Sequence, residues 1–397
     1  MNVDTPIITS LLDDDFYKAS MAAVVFHNFP NTTVTYEFFN RGKTHFPTGF
    51  GAALRKQVKH LCSLKFTDDE ISYLKNLNRF NENFIEFLKH FQMNEDEVNI
   101  TQLDTGELKI FIKGFWYRTI FWEVKLMAII SELYFKMSGI EMADDWSDRI
   151  IKKAINLFNA NCKWSDFGTR RRRAFEVQDQ VVSTMRRYTG FLGTSNIFLA
   201  KKYGVSPIGT SAHEAVMAMA VFAGYENANN AWLKYWSEYY KGELGIALPD
   251  TFTTDVFLRN FDGCLTRQWD GLRQDSGDPE TWMDIKIIPH YAKHRIPTRD
   301  KKIVFSDNLD VDKAIKLNTK YNGMFDVFFG IGTNLTNDTM TTNQRLSGIK
   351  PLNMVIKITS ANFGKGWLPT VKLSDDLGKN LGNMALIIQV KQQLNIK

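Results

Sequence analysis

Apolar positions follow two different periods along the chain, and the change of period divides it. Residues 34–39 (VTYEFF) are β-branched and aromatic, between Pro30-Asn31 and Asn40-Arg41-Gly42, which predicts a strand. Residues 108–113 (LKIFIK) alternate after Gly106 and predict a half-exposed strand. Residues 21–26 (MAAVVF) read as a helix entered from the acidic turn 13–15. A capping box, TDDE at 67–70, opens a second helix over 71–77. Residues 122–135 predict a long buried helix. Helices mixed with antiparallel-type strands predict an α+β domain over residues 1–145.

From about residue 150 the texture changes. Gly-Thr pairs recur at 168–169, 193–194, 209–210 and 332–333. Between the third and fourth lie three more polar strand ends: IALPDT at 246–251, GLRQDSGD at 271–278 and IVFSDN at 303–308. Helical stretches such as 178–188 and 310–317 separate them. Seven strand ends spaced roughly 15 to 40 residues apart have the rhythm of a βα barrel, whose polar strand C-termini face the active site. A doubly wound dinucleotide fold would carry GxGxxG and a following acid, and the chain has no such fingerprint. After residue 345, a strand at 351–358, a turn at 362–367 and a strand at 370–373 form a hairpin expected to return to the first domain. The expected fold class is α/β: an irregular α/β barrel over 146–345, joined to an N-terminal sheet domain that residues 346–397 complete.

Composition narrows the function. Of 397 residues, 44% are apolar and 23% charged, which suits a globular protein with ample core. A net charge of +5 is compatible with small anionic substrates but leaves no footprint for nucleic acid. Cys62, Cys162 and Cys264 lie far apart, so no zinc site or disulfide framework is expected, and a reducing, cytoplasmic setting is. No basic n-region precedes Asp13, so no signal peptide is expected. The most apolar window, 121–135, contains Glu123, Lys125 and Glu132 and so is no membrane span.

The run GTSAHE at 209–214 is the strongest chemical signal. Gly209 allows a tight turn, and Ser211 with Glu214 has capping-box spacing before the helix-forming residues 215–222. His213 then falls in the first turn, where the positive helix end keeps an imidazole neutral and nucleophilic and its free amides suit an anion. Such a histidine can accept a phosphoryl group; a capped helix with a half-buried histidine is the plainer alternative. Arg170, Arg171, Arg172 and Arg173 suit phosphate or carboxylate, with two expected to point inward. The stretch from Arg273 to Asp278 contains Asp275, Ser276 and Gly277. Its carboxylates suit Mg²⁺ with a polyphosphate, or a developing sugar cation, while an Asx turn is the structural alternative. Ser306, Asp307 and Asn308 suit ribose or phosphate oxygens, and Gly330, Gly332 and Thr333 a phosphate cradle. His27, His45, His60, His90, His290 and His294 have no partner motifs and read as surface or core residues.

Together these motifs, with LDDDFYK at 12–18, DFGTRRR at 166–172 and KLSD at 372–375, fall in the order seen in the nicotinate phosphoribosyltransferase family, which the chain resembles from residue 11 to about 379. The resemblance implies that nicotinate is joined to phosphoribosyl pyrophosphate (PRPP), with ATP hydrolysed through a phosphohistidine and Mg²⁺ as cofactor. It makes His213 the phosphorylated residue and places Glu214 and Asp275 in the catalytic set. Tyr17 and Phe167 would sandwich the pyridine ring, and Arg170, Thr210 and Arg273 would read the base. Ser276, Gly277, Ser306, Asp307, Asn308, Gly330, Gly332 and Thr333 would hold PRPP. Asp275 would lie near the anomeric carbon or Mg²⁺. The resemblance also implies a homodimer with shared sites, in which Tyr17 can serve the neighbouring subunit. The tail 380–397 follows no motif of the family. The rival readings are a nicotinamide phosphoribosyltransferase, separable by assaying both bases, and a non-catalytic barrel that binds a sugar phosphate.

Overall fold

The computed structural model describes residues 3–396. Among the described residues, twelve strands form two sheets. In chain order they are β1 (Thr33–Phe39), β2 (Val98–Gln102), β3 (Leu108–Phe115), β4 (Trp164–Asp166), β5 (Phe191–Thr194) and β6 (Ser206–Pro207). They continue as β7 (Ile246–Ala247), β8 (Gly271–Gln274), β9 (Lys302–Phe305), β10 (Asp326–Ile331), β11 (Val355–Asn362) and β12 (Leu368–Pro369). The first sheet is antiparallel, in the order β12-β11-β1-β3-β2. The second is parallel, in the order β6-β5-β4-β10-β9-β8-β7.

All seven strand ends read from the sequence are strands of the parallel sheet. Among the described residues it does not close: β6 and β7, two residues each, are its edges, so the expected barrel is a half-barrel. Most of its strands are short and near-continuously buried, as in a sheet covered on both faces. The C-terminal strand β11 pairs along all of β1, from Thr33 opposite Asn362 to Phe39 opposite Val355. The hairpin after it is shorter than expected: β12 is Leu368–Pro369, Thr370 still donates to β11 at the Thr359 and Ile358 carbonyls, and Lys372 and Leu373 make isolated bridges to Leu381 and Phe252. The tail without a motif forms the helix Met384–Gln393, which buries Ile387 and Val390.

The early helices follow the sequence closely. Thr67 and Glu70 form the reciprocal capping box at Asp68–Asn76. The apolar run becomes the helix Trp122–Met137, buried on nearly every face, including Glu123, Lys125 and Glu132. Those charges, like the acidic turn, are buried in pairs. Asp14 meets Lys125, Ser195 Oγ lies 2.6 Å from Asp15 Oδ1, and Asp13 takes both terminal nitrogens of Arg172 at 2.7 Å. The turn at 13–15 is therefore an ionic clasp between the chain start and the half-barrel. Removing one member of a buried pair strands the other charge, which costs about 3 to 5 kcal/mol. Arg172→Met is expected to lower unfolding free energy by about that amount in urea titration, and Arg172→Met with Asp13→Leu by clearly less.

Candidate active site

A cavity of about 1090 Å³ opens where the C-terminal ends of the parallel strands face β11 and the helices Phe16–Asn28 and Trp122–Met137. His213 lies at its wall, only 5% exposed, at the first position of the helix His213–Ala223. The expected capping box is absent. Ala212 is the N-cap and no side chain caps the helix. Ser211 Oγ instead accepts from Trp232 Nε1 at 2.7 Å, and Glu214 is drawn away into the core. Its Oε1 accepts from Tyr36 Oη at 2.9 Å and Trp116 Nε1 at 3.2 Å, and its Oε2 meets the Lys18 ammonium. A charged partner and two buried donors outcompete a local cap, and the first amides of the helix keep no side-chain partner.

His213 is held on both edges. Nδ1 lies 3.0 Å from Thr251 Oγ1, and Nε2 lies 3.1 Å from Asp275 Oδ2 and 3.8 Å from Asp250 Oδ1. Burial, with the Lys372 ammonium nearby, pushes the imidazole down to about 4. The ring is neutral, as the sequence predicts, but burial is the main cause. Burial alone would raise Asp275; Arg273 and His213 nevertheless hold it well below the usual carboxylate range. An ionised Asp275 can only accept, so Nε2 carries the single ring proton and Thr251 donates to Nδ1. Thr251 follows β7 and precedes Thr253, a β-branched residue held at φ 69°. That costly conformation is fixed by the Thr253 amide on the Leu373 carbonyl and by its hydroxyl capping Val256.

Around this centre the cavity collects Tyr17, Phe167, Arg170, Arg273, Asp275 and Glu214. Ser306, Asp307, Asn308, Gly332 and Thr333 line it as well. Tyr17 and Phe167 border the same cavity within one chain. Ser306 Oγ is 2.8 Å from Asp275 Oδ1, and Asp307 accepts from Lys379 at 2.6 Å. Of the four arginines, Arg170 and Arg171 face the cavity. Arg172 is taken by Asp13, and Arg173 stacks 3.9 Å from the Phe135 ring centre.

Four expected positions do not line the cavity: Thr210, Ser276, Gly277 and Gly330. Thr210 is half-buried beside the lining residue Gly209. Ser276 turns its hydroxyl to Asp250 Oδ2 at 2.5 Å, and Gly277 makes the turn at φ 76°. Gly330 is a packing position: a Cβ there would stand 2.3 Å from the Phe167 ring. Its lack of a side chain is what lets Phe167 lie flat on β10 beside the cavity.

Sequence reasoning gave no role to Arg41, Glu123, Asp250, Lys357 or Lys379, all of which take part in this region. Lys357 had a signal: it is a lone charge in the apolar strand run 354–358, and Glu123, with Lys125, is one of two charges in the apolar helix run 121–130. Burial pushes the Lys357 ammonium down to about 8. Among the described residues no three His, Cys, Asp or Glu side chains are grouped to hold a metal ion, and no helix is long and apolar enough to cross a membrane.

A parallel half-barrel with a neutral histidine, an ionised aspartate and a ring of cations at one cavity defines a class, an α/β enzyme equipped for phosphorylated substrates. Comparison with known proteins gives the family. The nicotinate phosphoribosyltransferase (NAPRTase) N-terminal domain profile matches residues 12–131, and the NAPRTase family profile matches residues 162–397. The nicotinate phosphoribosyltransferase of Desulforapulum autotrophicum is 42% identical over 95% of this chain and 96% of its own length. That of Chromohalobacter salexigens is 40% identical over 98% of each chain. The crystal structure of nicotinate phosphoribosyltransferase from Porphyromonas gingivalis superimposes with a TM-score of 0.93 at 34% identity, over 98% of this chain and 100% of that one. The chain belongs to the nicotinate phosphoribosyltransferase family.

The depressed imidazole has a stability consequence. An unfolded histidine takes up its proton near pH 6.5, whereas folded His213 does so only near pH 4. Between those values the unfolded chain binds more protons, so this residue makes stability fall as pH falls. His290, also pushed down to about 4 by burial, adds to the same slope. The difference in urea midpoint between wild type and His213→Asn is expected to shrink on acidification through that window; a difference independent of pH would contradict the buried neutral ring.

Proposed function

We infer that this chain is a nicotinate phosphoribosyltransferase, joining nicotinate to PRPP to give nicotinate mononucleotide and pyrophosphate, with ATP hydrolysed alongside. The observation that carries the reading is the convergence of His213, Asp275, Arg273, Phe167 and Tyr17 on one cavity ringed by cations, in a chain with full-length family relatives.

The ring nitrogen of nicotinate forms a bond to the anomeric carbon as the bond to pyrophosphate breaks, through an oxocarbenium-like state. Tyr17 and Phe167 present aromatic faces to the pyridine, and Arg170 and Arg273 supply the cations that an anionic ring substituent requires. Positive charge suits the acid better than its neutral amide, which sets nicotinamide second. Asp275, ionised at the cavity, stabilises positive charge growing on the sugar. Lys372, Lys379 and Arg41 line the cavity and take phosphate oxygens, and Gly332 and Thr333 offer backbone amides to the 5′-phosphate.

Mg²⁺ binds through one or two carboxylates and completes its shell with water and substrate phosphate. The residues fit that habit: Asp275 lies at the cavity, and Asp250 Oδ1 is buried with no hydrogen-bond partner. When bound, Mg²⁺ neutralises charge on the departing pyrophosphate.

ATP couples through His213. Nδ1, the ring nitrogen without the proton, attacks the terminal phosphorus as Thr251 releases it, the bond to ADP breaks, ionised Asp275 balances the charge left on the ring through Nε2, and the phosphoryl group lies against the uncapped amides of the helix start. The new charge orders the phosphate-binding loops and tightens substrate binding until water removes the phosphoryl group. Glu214, its oxygens committed to Lys18, Tyr36 and Trp116, fixes the helix that carries His213 rather than handling protons. The working form is a cytoplasmic homodimer.

Purified protein given nicotinate and PRPP is expected to form the mononucleotide, faster with ATP, and to do far less with nicotinamide. His213→Asn is expected to keep basal formation and lose the stimulation by ATP. Stimulation that survives the substitution would end the phosphohistidine reading. Gly330→Ala, which drives a Cβ into the Phe167 ring, is expected to raise KM for nicotinate about tenfold or more, with less effect on KM for PRPP.

A further inference from the structure

One buried carboxylate has more cationic partners than its charge requires. Glu123 stands in the first turn of the helix Trp122–Met137 with its side chain 5% exposed. Its oxygens lie 2.6 Å from Lys18 Nζ, 3.4 Å from an Arg170 terminal nitrogen and 3.9 Å from Lys357 Nζ. The three cations come from three remote segments: the helix Phe16–Asn28, the turn after β4, and β11. Lys18 is fully buried and shared with Glu214, so Glu123 already has a tight partner. Arg170 and Lys357 are held at longer range, their side chains 37% and 17% exposed, and both line the cavity.

We propose that Glu123 is a positioning residue, aiming Arg170 and Lys357 into the cavity as a pair that holds one anionic oxygen group of the substrate. Three cations meet Glu123 and Glu214 here, with Asp15 and Asp275 also acting on Arg170 and Lys372 on Lys357. The contact from Arg170 is one long hydrogen bond of 3.4 Å and that from Lys357 is longer still at 3.9 Å, so Glu123 fixes the direction of the two cavity cations while most of their donors remain for a ligand. Glu123 also keeps Lys357 charged. Burial presses that ammonium down to about 8, Arg170, Lys372 and Lys18 press in the same direction, and Glu123 opposes them. Without the carboxylate, Lys357 loses its proton at lower pH and Arg170 loses its anchor on that side.

The anionic group has two sources, the carboxylate of nicotinate or a phosphate of PRPP, and the proposal rests on the function inferred above. Titration calorimetry without turnover separates the two readings, with nicotinate and inorganic pyrophosphate as separate probes. Glu123→Gln is expected to weaken one of them about tenfold, the worth of one charge-assisted hydrogen bond, and the probe that weakens identifies the group held. In the assay the same variant raises KM for the matching substrate more than it lowers kcat, and moves the alkaline limb of kcat/KM to lower pH. A strut without this role would lower stability and leave both affinities and the alkaline limb in place. Lys357→Met tests the pair independently should Glu123→Gln fail to fold: it is expected to weaken the same probe and to abolish the limb near pH 8. In a double variant, Glu123→Gln should add little to Lys357→Met. Unchanged affinity for both probes in either single variant overturns the proposal. A wild type that binds both probes but forms no mononucleotide overturns only the inferred reaction.

Discussion

Lys18 is an ammonium removed from water and surrounded by Glu123 and Glu214, with Tyr36 and Trp116 completing the second carboxylate. A buried charge of this kind is tolerated only when its partners come to it, so the chain must bring them there. That requirement ties the helix after the acidic turn, the first strand of the antiparallel sheet, the long apolar helix and the helix start behind His213 to one point. The cavity is the space left in front of that knot. Its walls are set by an interior electrostatic demand more than by the cavity's own contacts.

The same demand explains why the histidine helix has no cap. Glu214 has the spacing for a capping box, and in an isolated peptide it would make one. Here a cation and two buried donors take it inward, and the amides of the first turn are left without side-chain partners. A local preference gives way to a tertiary one. The result is an anion-receptive helix start beside a ring kept neutral by burial. The acidic turn follows the same logic: Asp13, Asp14 and Asp15 read only as an acidic turn before a helix, yet each finds a buried partner on another element.

Much of the architecture was legible. The strand ends at 166, 194, 207, 247, 274, 305 and 331 are each marked by polar residues after a short β-rich run, and every one is a strand of the parallel sheet. Closure was not legible, because a spacing pattern counts strands without saying whether the first and last meet. Of the site, His213, Asp275 and Arg273 could be named because they sit in recognisable motifs at strand ends and a helix start, and Phe167 and Tyr17 because those motifs resemble a family's. Lys357 and Glu123 could not, since each is a charged residue within an apolar stretch whose meaning depends on what lies opposite; Asp250 stood at a marked strand end, but its pairing with His213 and Ser276 was not visible there. Gly330 was placed with the phosphate cradle when its close neighbour is the Phe167 ring, because a missing side chain does not say which partner needs the room.

The sequence by itself determined the elements, the family and the turn chemistry, because those depend on neighbours a few positions apart and on residue types in a fixed order. The tertiary structure decided which charges are shared, which nitrogen of His213 carries the proton, and which arginines face the cavity. Those outcomes depend on distances between residues as remote as Lys18 and Glu214, and on how far water is excluded from them. Desolvation and pairing are properties of the packed interior, and no local run of residues encodes them.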